Sequence, residues 1–145
     1  MNCVDASVAA KWLFEEEWSL NAGALAAAAY ADGELLVGPP HLRAEISNVV
    51  LQRTRREGLG LQAAGEAFRT FLAVSLLLDE PDGLYETALE FAYRYEIPAN
   101  YDAIYVALAW TLGADLWTDD RRLLGRLGGR LPFVRWIGDY PVPVS

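Results

Sequence analysis

Four carboxylates stand where a buried stretch would not be expected to carry charge. Asp5 ends the apolar opening Met1-Asn2-Cys3-Val4 and is the only charged side chain among the first ten residues. Glu45 lies in His41-Leu42-Arg43-Ala44-Glu45-Ile46-Ser47-Asn48, at helical spacing from Leu42, Ile46 and Val49. Asp102 is the only charge from Ile97 to Ala114, and Asp120 follows Leu116-Trp117-Thr118-Asp119. Carboxylates gathered without nearby cations repel one another, and either protons or a divalent metal can relieve that repulsion. An all-oxygen set suits Mg²⁺ or Mn²⁺. Zinc would usually want histidine or cysteine, and the chain has one of each, His41 and Cys3, far apart in sequence. Hydrolysis of a phosphodiester is the chemistry implied: the ion offsets phosphate charge, and its retained waters supply a nucleophile.

Such residues need elements that bring them together. Short β-like runs alternate with longer helical ones. Strands are predicted at Asn2-Cys3-Val4, Leu35-Leu36-Val37, Val74 to Leu78, Leu116-Trp117 and Phe133-Val134-Arg135-Trp136. Helices are predicted at Ala6 to Glu15, Leu20 to Tyr30, His41 to Glu57, Leu61 to Leu72, Asp82 to Tyr95, Tyr101 to Leu112 and Arg121 to Leu127. Asp32-Gly33, Gly38-Pro39-Pro40, Gly58 and Gly113 supply the stops. Tyr101 to Leu112 is apolar on almost every side, which predicts a buried helix. Alternation of this kind predicts one α/β domain over residues 1–145, a parallel sheet of four or five strands with helices on both faces. Active sites of such sheets lie beyond the carboxyl ends of the strands. Asp5 and Asp120 fall there directly, and Glu45 and Asp102 reach the same edge from helices. Each acid also has a structural alternative. Asp5 and the Thr118-Asp119-Asp120 run could cap helices, Asp102 could favour a helix dipole, and Glu45 could be a solvated rim residue.

Composition bounds the rest. The chain has 145 residues, 53% of them hydrophobic, which argues for one packed core. No apolar run reaches the length of a membrane span, no secretory signal is visible, and a single cysteine forms no internal disulfide, so a cytoplasmic location is expected. The net charge of −8 argues against a simple basic nucleic-acid binder. The charge is uneven, however. Residues 1–120 carry 7 basic and 19 acidic side chains, whereas residues 121–145 carry 5 arginines and 1 acid. Arginine is the better bidentate phosphate ligand, so Arg121, Arg122 and Arg126 are candidate contacts for a phosphate backbone, against the alternative of a solvated tail.

Other enzyme classes lack their residues. No Gly-x-Gly-x-x-Gly follows the first strand, and no Gly-x-x-x-x-Gly-Lys occurs. A haloacid-dehalogenase-like phosphatase would want an aspartate where Ser7 stands. His41 lies outside any Gly-x-Ser-x-Gly setting, and nothing resembles the sugar-stacking groove of a glycosidase.

The segment Val4-Asp5-Ala6-Ser7-Val8-Ala9-Ala10-Lys11-Trp12 resembles the opening of the PilT N-terminal (PIN) domain. Ala44-Glu45-Ile46-Ser47-Asn48 resembles the second acidic motif of that family, Tyr101-Asp102-Ala103-Ile104-Tyr105-Val106-Ala107-Leu108-Ala109 the third, and Thr118-Asp119-Asp120-Arg121-Arg122-Leu123 its Thr-x-Asp motif. The order is the family's own, over nearly the whole chain, and the nearest branch is the VapC-type toxin. The resemblance implies a Mg²⁺- or Mn²⁺-dependent endoribonuclease in which Asp5, Glu45, Asp102 and Asp120 hold metal. It implies Ser7 and Thr118 as polar supports and Asn48 as a residue that orients substrate or water. Asp119 replaces a commoner neutral residue and either joins the site or faces solvent. The resemblance further implies an RNA substrate, a cognate antitoxin protein and a homodimer. Trp12, Leu13, Phe14 and Trp18 could line an antitoxin groove or fill the core. The alternatives are a solitary PIN nuclease in RNA processing and a non-catalytic interaction module on the same fold.

Overall fold

A computed structural model describes residues 1–144. Five strands form one sheet: β1 Asn2–Val4, β2 Leu36–Gly38, β3 Leu76–Leu78, β4 Asp115–Thr118 and β5 Val134–Trp136. Their spatial order is β3-β2-β1-β4-β5 and every neighbouring pair is parallel. Parallel strands need crossover connections, and helices supply them. These are α1 Ala6–Ala9, α2 Ser19–Asp32, α3 His41–Arg56, α4 Leu61–Ala73, α5 Leu84–Tyr95, α6 Asn100–Leu112 and α7 Arg121–Leu127.

The chain leaves β1 in one direction toward β2 and reaches β4 on its other side only later. The carboxyl ends of β1 and β4 therefore flank the point where strand order reverses, the usual crevice of an open α/β sheet. The register puts Val4 beside Trp117, so the residues just past them, Asp5 and Thr118, meet. The central strands are buried on both faces: Cys3, Val4, Leu36, Val37, Leu116 and Trp117 are all nearly inaccessible. Burial pushes the Cys3 thiol up to about 12, so it stays protonated and unreactive. Helix α6 has a buried run from Ala103 to Ala109, as its apolar circumference predicts.

The predicted first helix is shorter than its composition suggests. Residues Ala6–Ala9 are α-helical, Ala10–Trp12 form a 3₁₀ turn, and the helix is over before Glu15. One distant contact and one local turn accompany this end. Lys11 turns inward to a buried ion pair, and Ser19 accepts from the Glu16 amide at 2.9 Å and donates to the Phe14 carbonyl at 3.1 Å, folding residues 14–19 into a loop. Trp12, Leu13, Phe14 and Trp18 all pack against the core. Each is half-buried, so packing takes part of every one of these side chains and leaves the rest at the surface. Predicted strand Val74 to Leu78 shortens to Leu76–Leu78, since Val74 still caps α4. The second strand ends at Gly38, one residue later than expected. A Cβ at Gly38 would lie 2.5 Å from Leu42 Cδ2, so glycine here lets α3 pack onto the strand end.

Candidate active site

Asp5 leaves β1 in an extended conformation and caps α1, accepting from the Val8 amide at 3.2 Å. Capping is only part of its role. Ser7 Oγ donates to Asp5 Oδ1 at 2.6 Å, and the Thr118 hydroxyl donates to Oδ2 across the β1–β4 pairing. Thr118 in turn accepts from the Asp120 amide at 2.9 Å, and Ser7 from the Asp119 amide at 2.8 Å. Two short hydroxyls thus stitch the loop after β4 to the loop after β1. Despite these donors, burial raises the Asp5 pKa to about 6, with the nearby Asp120 charge pushing the same way. Asp120 caps α7: its Oδ1 accepts from the amides of Arg122 and Leu123, both at 3.1 Å.

The other two acids come from helices. Glu45 sits one turn into α3, where Tyr105 of α6 donates to its Oε1 at 2.5 Å and His41 Nε2 lies 3.1 Å from the same oxygen. Burial works to raise the Glu45 pKa, but the His41 and Tyr105 contacts outweigh it and hold the group below its ordinary value. The same carboxylate and burial push the Tyr105 phenol far upward, so it remains a donor. Asp102 occupies the first turn of α6 and is half-buried. Burial raises its pKa, and Asp120 and Glu45 add repulsion while His41 opposes them.

All four acids therefore act on one another at the carboxyl edge: Asp120 on Asp5 and Asp102, and Glu45 on Asp102. They are in electrostatic reach rather than in coordination contact. Among the described residues no three acidic, histidine or cysteine side chains stand close enough to hold a metal ion. The physical cause is on view in the hydrogen bonds: Asp5, Asp120 and Glu45 each lean on protein donors. Four oxygens, Asp120 Oδ2, Glu45 Oε2 and both of Asp102, have no protein donor among the described residues. An all-oxygen set with two acids raised by burial and mutual repulsion fits a hard divalent cation in its chemistry, which is the property that matters for the fit.

Asp119 neither joins the acids nor faces solvent freely. Lys11 Nζ lies 2.9 Å from its Oδ2 and Trp136 Nε1 donates to its Oδ1 at 2.9 Å. Lys11 also pairs with Glu16 at 3.1 Å and is almost wholly buried. Three contributors escape a reading of the acid motifs alone. Lys11 was marked as the only lysine of the chain, Tyr105 by its place three residues after Asp102, and His41 by its place four before Glu45. Those spacings put each pair on one helix face.

The remaining sequence candidates divide. Asn48 is exposed on α3, one turn beyond Glu45. Arg122 is exposed on α7. Arg121 pairs with Glu17 at 3.3 Å and covers the Trp136 ring at 5.2 Å. Arg126 donates to the Glu96 carbonyl at 3.1 Å.

A family model described as PIN domain matches residues 3–129. A comparison with curated proteins finds no match. Among solved structures, the crystal structure of PAE2754 from Pyrobaculum aerophilum aligns with a TM-score of 0.66 at 22% identity, covering 94% of this chain and 90% of that one. At that identity the likeness speaks for the fold. PIN domains are generally nucleases that act on nucleic acid, and PIN nucleases typically use divalent metal ions. No helix is long and apolar enough to cross a membrane. With its parallel sheet, its acids at the carboxyl edge and a family match over residues 3–129, the chain belongs to the PIN domain family.

Proposed function

We propose that this protein is a Mg²⁺- or Mn²⁺-dependent endoribonuclease, the VapC-type toxin of a toxin–antitoxin pair. The observation that carries the reading is the convergence of Asp5, Glu45, Asp102 and Asp120 from four separate elements into one field of repulsion. Mutual repulsion among the four costs stability beyond what helix capping by Asp5 and Asp120 returns to each alone, and a function is a reason to keep it. Asp5, Asp102 and Asp120 would hold the cation, with Glu45 alongside. When bound, that ion supplies charge neutralisation for an approaching phosphodiester and lowers the pKa of water. Ser7 and Thr118 fix both oxygens of Asp5 and so hold its orientation. Tyr105 does the same for one oxygen of Glu45, with His41 3.1 Å away, and the other oxygen has no protein donor among the described residues.

The test is RNA cleavage by the purified protein with Mg²⁺ or Mn²⁺, with excess EDTA, and in the Asp102→Asn variant. Cleavage should require metal and fall by orders of magnitude in the variant. Undiminished cleavage in EDTA would sink the mechanism. The partner part of the reading has its own test. A small upstream open reading frame encoding a DNA-binding head and helical tail should co-purify with this chain and relieve growth arrest. An antitoxin arginine is a natural ligand for the acidic site, since its planar fork engages carboxylates in bidentate fashion. A homodimer is expected with it, measurable by sedimentation.

A second reading has one observation in its favour. Asp5 and Asp120 each cap a helix, so both have structural work without metal. On an interaction module, Mn²⁺ would leave the melting temperature unchanged, whereas the nuclease reading requires a rise that Asp102→Asn removes.

A further inference from the structure

The acid site leaves unused a cavity of about 550 Å³ that opens along the β5 edge. Its walls include Arg121, Leu124, Leu131, Val134, Arg135 and Trp136. We propose that this cavity is a nucleobase subsite for single-stranded RNA, holding a nucleotide that flanks the scissile phosphate. The inference rests on the ribonuclease reading above and deepens it by locating the substrate strand.

Trp136 is a fixed platform. Its indole N–H is tied to Asp119, Trp18 packs edge-on at 4.8 Å and 76°, and Gly138 lies directly beneath the ring. A Cβ at position 138 would come within 2.5 Å of Trp136 Cη2 and Cζ2, so only glycine allows the ring this seat. The Arg121 guanidinium covers Trp136 at 5.2 Å from its centroid while its side chain stays 62% exposed. Glu17 at 3.3 Å and Asp119 at 3.8 Å share this guanidinium without burying it, and bases stack on arginine planes as they do on aromatic rings. Leu124, Leu131 and Val134 supply apolar walls for the edges of a flat ring.

Place and charge choose the occupant. Arg121 directly follows Asp120, so the cavity begins beside the acid site. Asp139 is the only acid on its lining, against Arg121 and Arg135, in a chain whose net charge is −8. A phosphate backbone leaving the acids toward β5 would meet cations here. Arg121 and Arg135 pair with Glu17 and Asp115, each at 3.3 Å, but at exposed positions where such pairs are weak and exchangeable, whereas neighbouring arginines are tied to backbone carbonyls. Arg126 is tied to the Glu96 carbonyl, and Arg130 to the Leu127 and Arg126 carbonyls. A slot between arginine faces and apolar walls suits a flat base with an attached phosphate better than it suits an acidic peptide, which would use the arginines alone.

The experiment follows the Trp136 indole N–H by NMR in excess chelator, identified as the signal lost in Trp136→Phe. Titration with adenosine 5′-monophosphate should shift it saturably, with half-saturation on the order of 1 mM, as one stacked base with one phosphate would give. Arg121→Ala should weaken this about tenfold, and Leu124→Tyr, which fills the cavity from a half-buried position, should abolish it with the fold intact. Ribose 5-phosphate should produce little shift. An equal shift with ribose 5-phosphate, no shift with the nucleotide, or an unchanged titration in Leu124→Tyr would each overturn the subsite. Cleavage plays no part in the readout. Metal-dependent cleavage without a titration would overturn the subsite alone, and a titration without any cleavage would overturn the ribonuclease reading alone.

Discussion

Asp5→Asn should stabilise the metal-free protein at neutral pH and lose that advantage in acid. Asp5 is buried, and its pKa rises from 3.8 to about 6 on folding. A carboxyl raised in the folded state contributes most to stability below its unfolded value. That contribution is lost as pH climbs from about 4 through about 6, because ionising the group then disfavours the fold. Two units correspond to about 3 kcal/mol at pH 7.5, an order-of-magnitude figure. Asparagine removes the charge but offers one acceptor where aspartate has two. Ser7, Thr118 and the Val8 amide all donate to this side chain, so one hydrogen bond is forfeited at about 1–2 kcal/mol. The net expectation is a stabilisation of about 1–2 kcal/mol at pH 7.5. The hydrogen-bond term is common to both pH values and cancels in their difference. Urea denaturation of both proteins in EDTA, at pH 7.5 and pH 4, should therefore show the effect of the substitution changing by about 2 kcal/mol between them, in favour of the variant at the higher pH. An effect equal at the two pH values, or one that favours the variant more in acid, would refute the claim that Asp5 is held against its charge.

Three further outcomes are expected. Mn²⁺ should raise the melting temperature of the natural protein, and Asp102→Asn should abolish the rise, because Asp102 is repelled by both Asp120 and Glu45 until a cation arrives. Lys11→Met should cost about 3 kcal/mol in urea denaturation, since it leaves Asp119 and Glu16 facing a buried hole, and adding Asp119→Asn should recover part of that loss. Neutralising Arg121 and Arg122 together should flatten the salt dependence of RNA binding by about 0.7 per charge on a log–log plot, whereas Arg126→Gln, already tied to the Glu96 carbonyl, should change it less.

Much of this molecule is readable from the chain by itself. Hydrophobic runs of strand and helix length, punctuated by Gly33, Gly58 and Gly113, determine the five elements of the sheet and the helices between them, because burial and turn chemistry are local in sequence. The four acids stand out for the same reason: a charge among apolar neighbours has to be excused by something. What the chain alone leaves open is which side chains answer which. Whether Asp119 or Asp120 faces the acids depends on Lys11, more than a hundred residues earlier, turning inward to claim Asp119. That inward turn also ends the first helix at a 3₁₀ turn, against its composition. Trp12, Phe14 and Trp18 are held half-buried against the core, because the Ser19 hydroxyl bonds the Phe14 carbonyl and turns the loop from 14 to 19 back. Arg121 and Arg126 look alike in sequence, yet one lies over Trp136 and pairs with Glu17, while the other is spent on a carbonyl. Each of these choices rests on a contact between distant segments, and only the parallel pairing of β1 with β4, which sets Asp5 beside Thr118, brings those segments within reach.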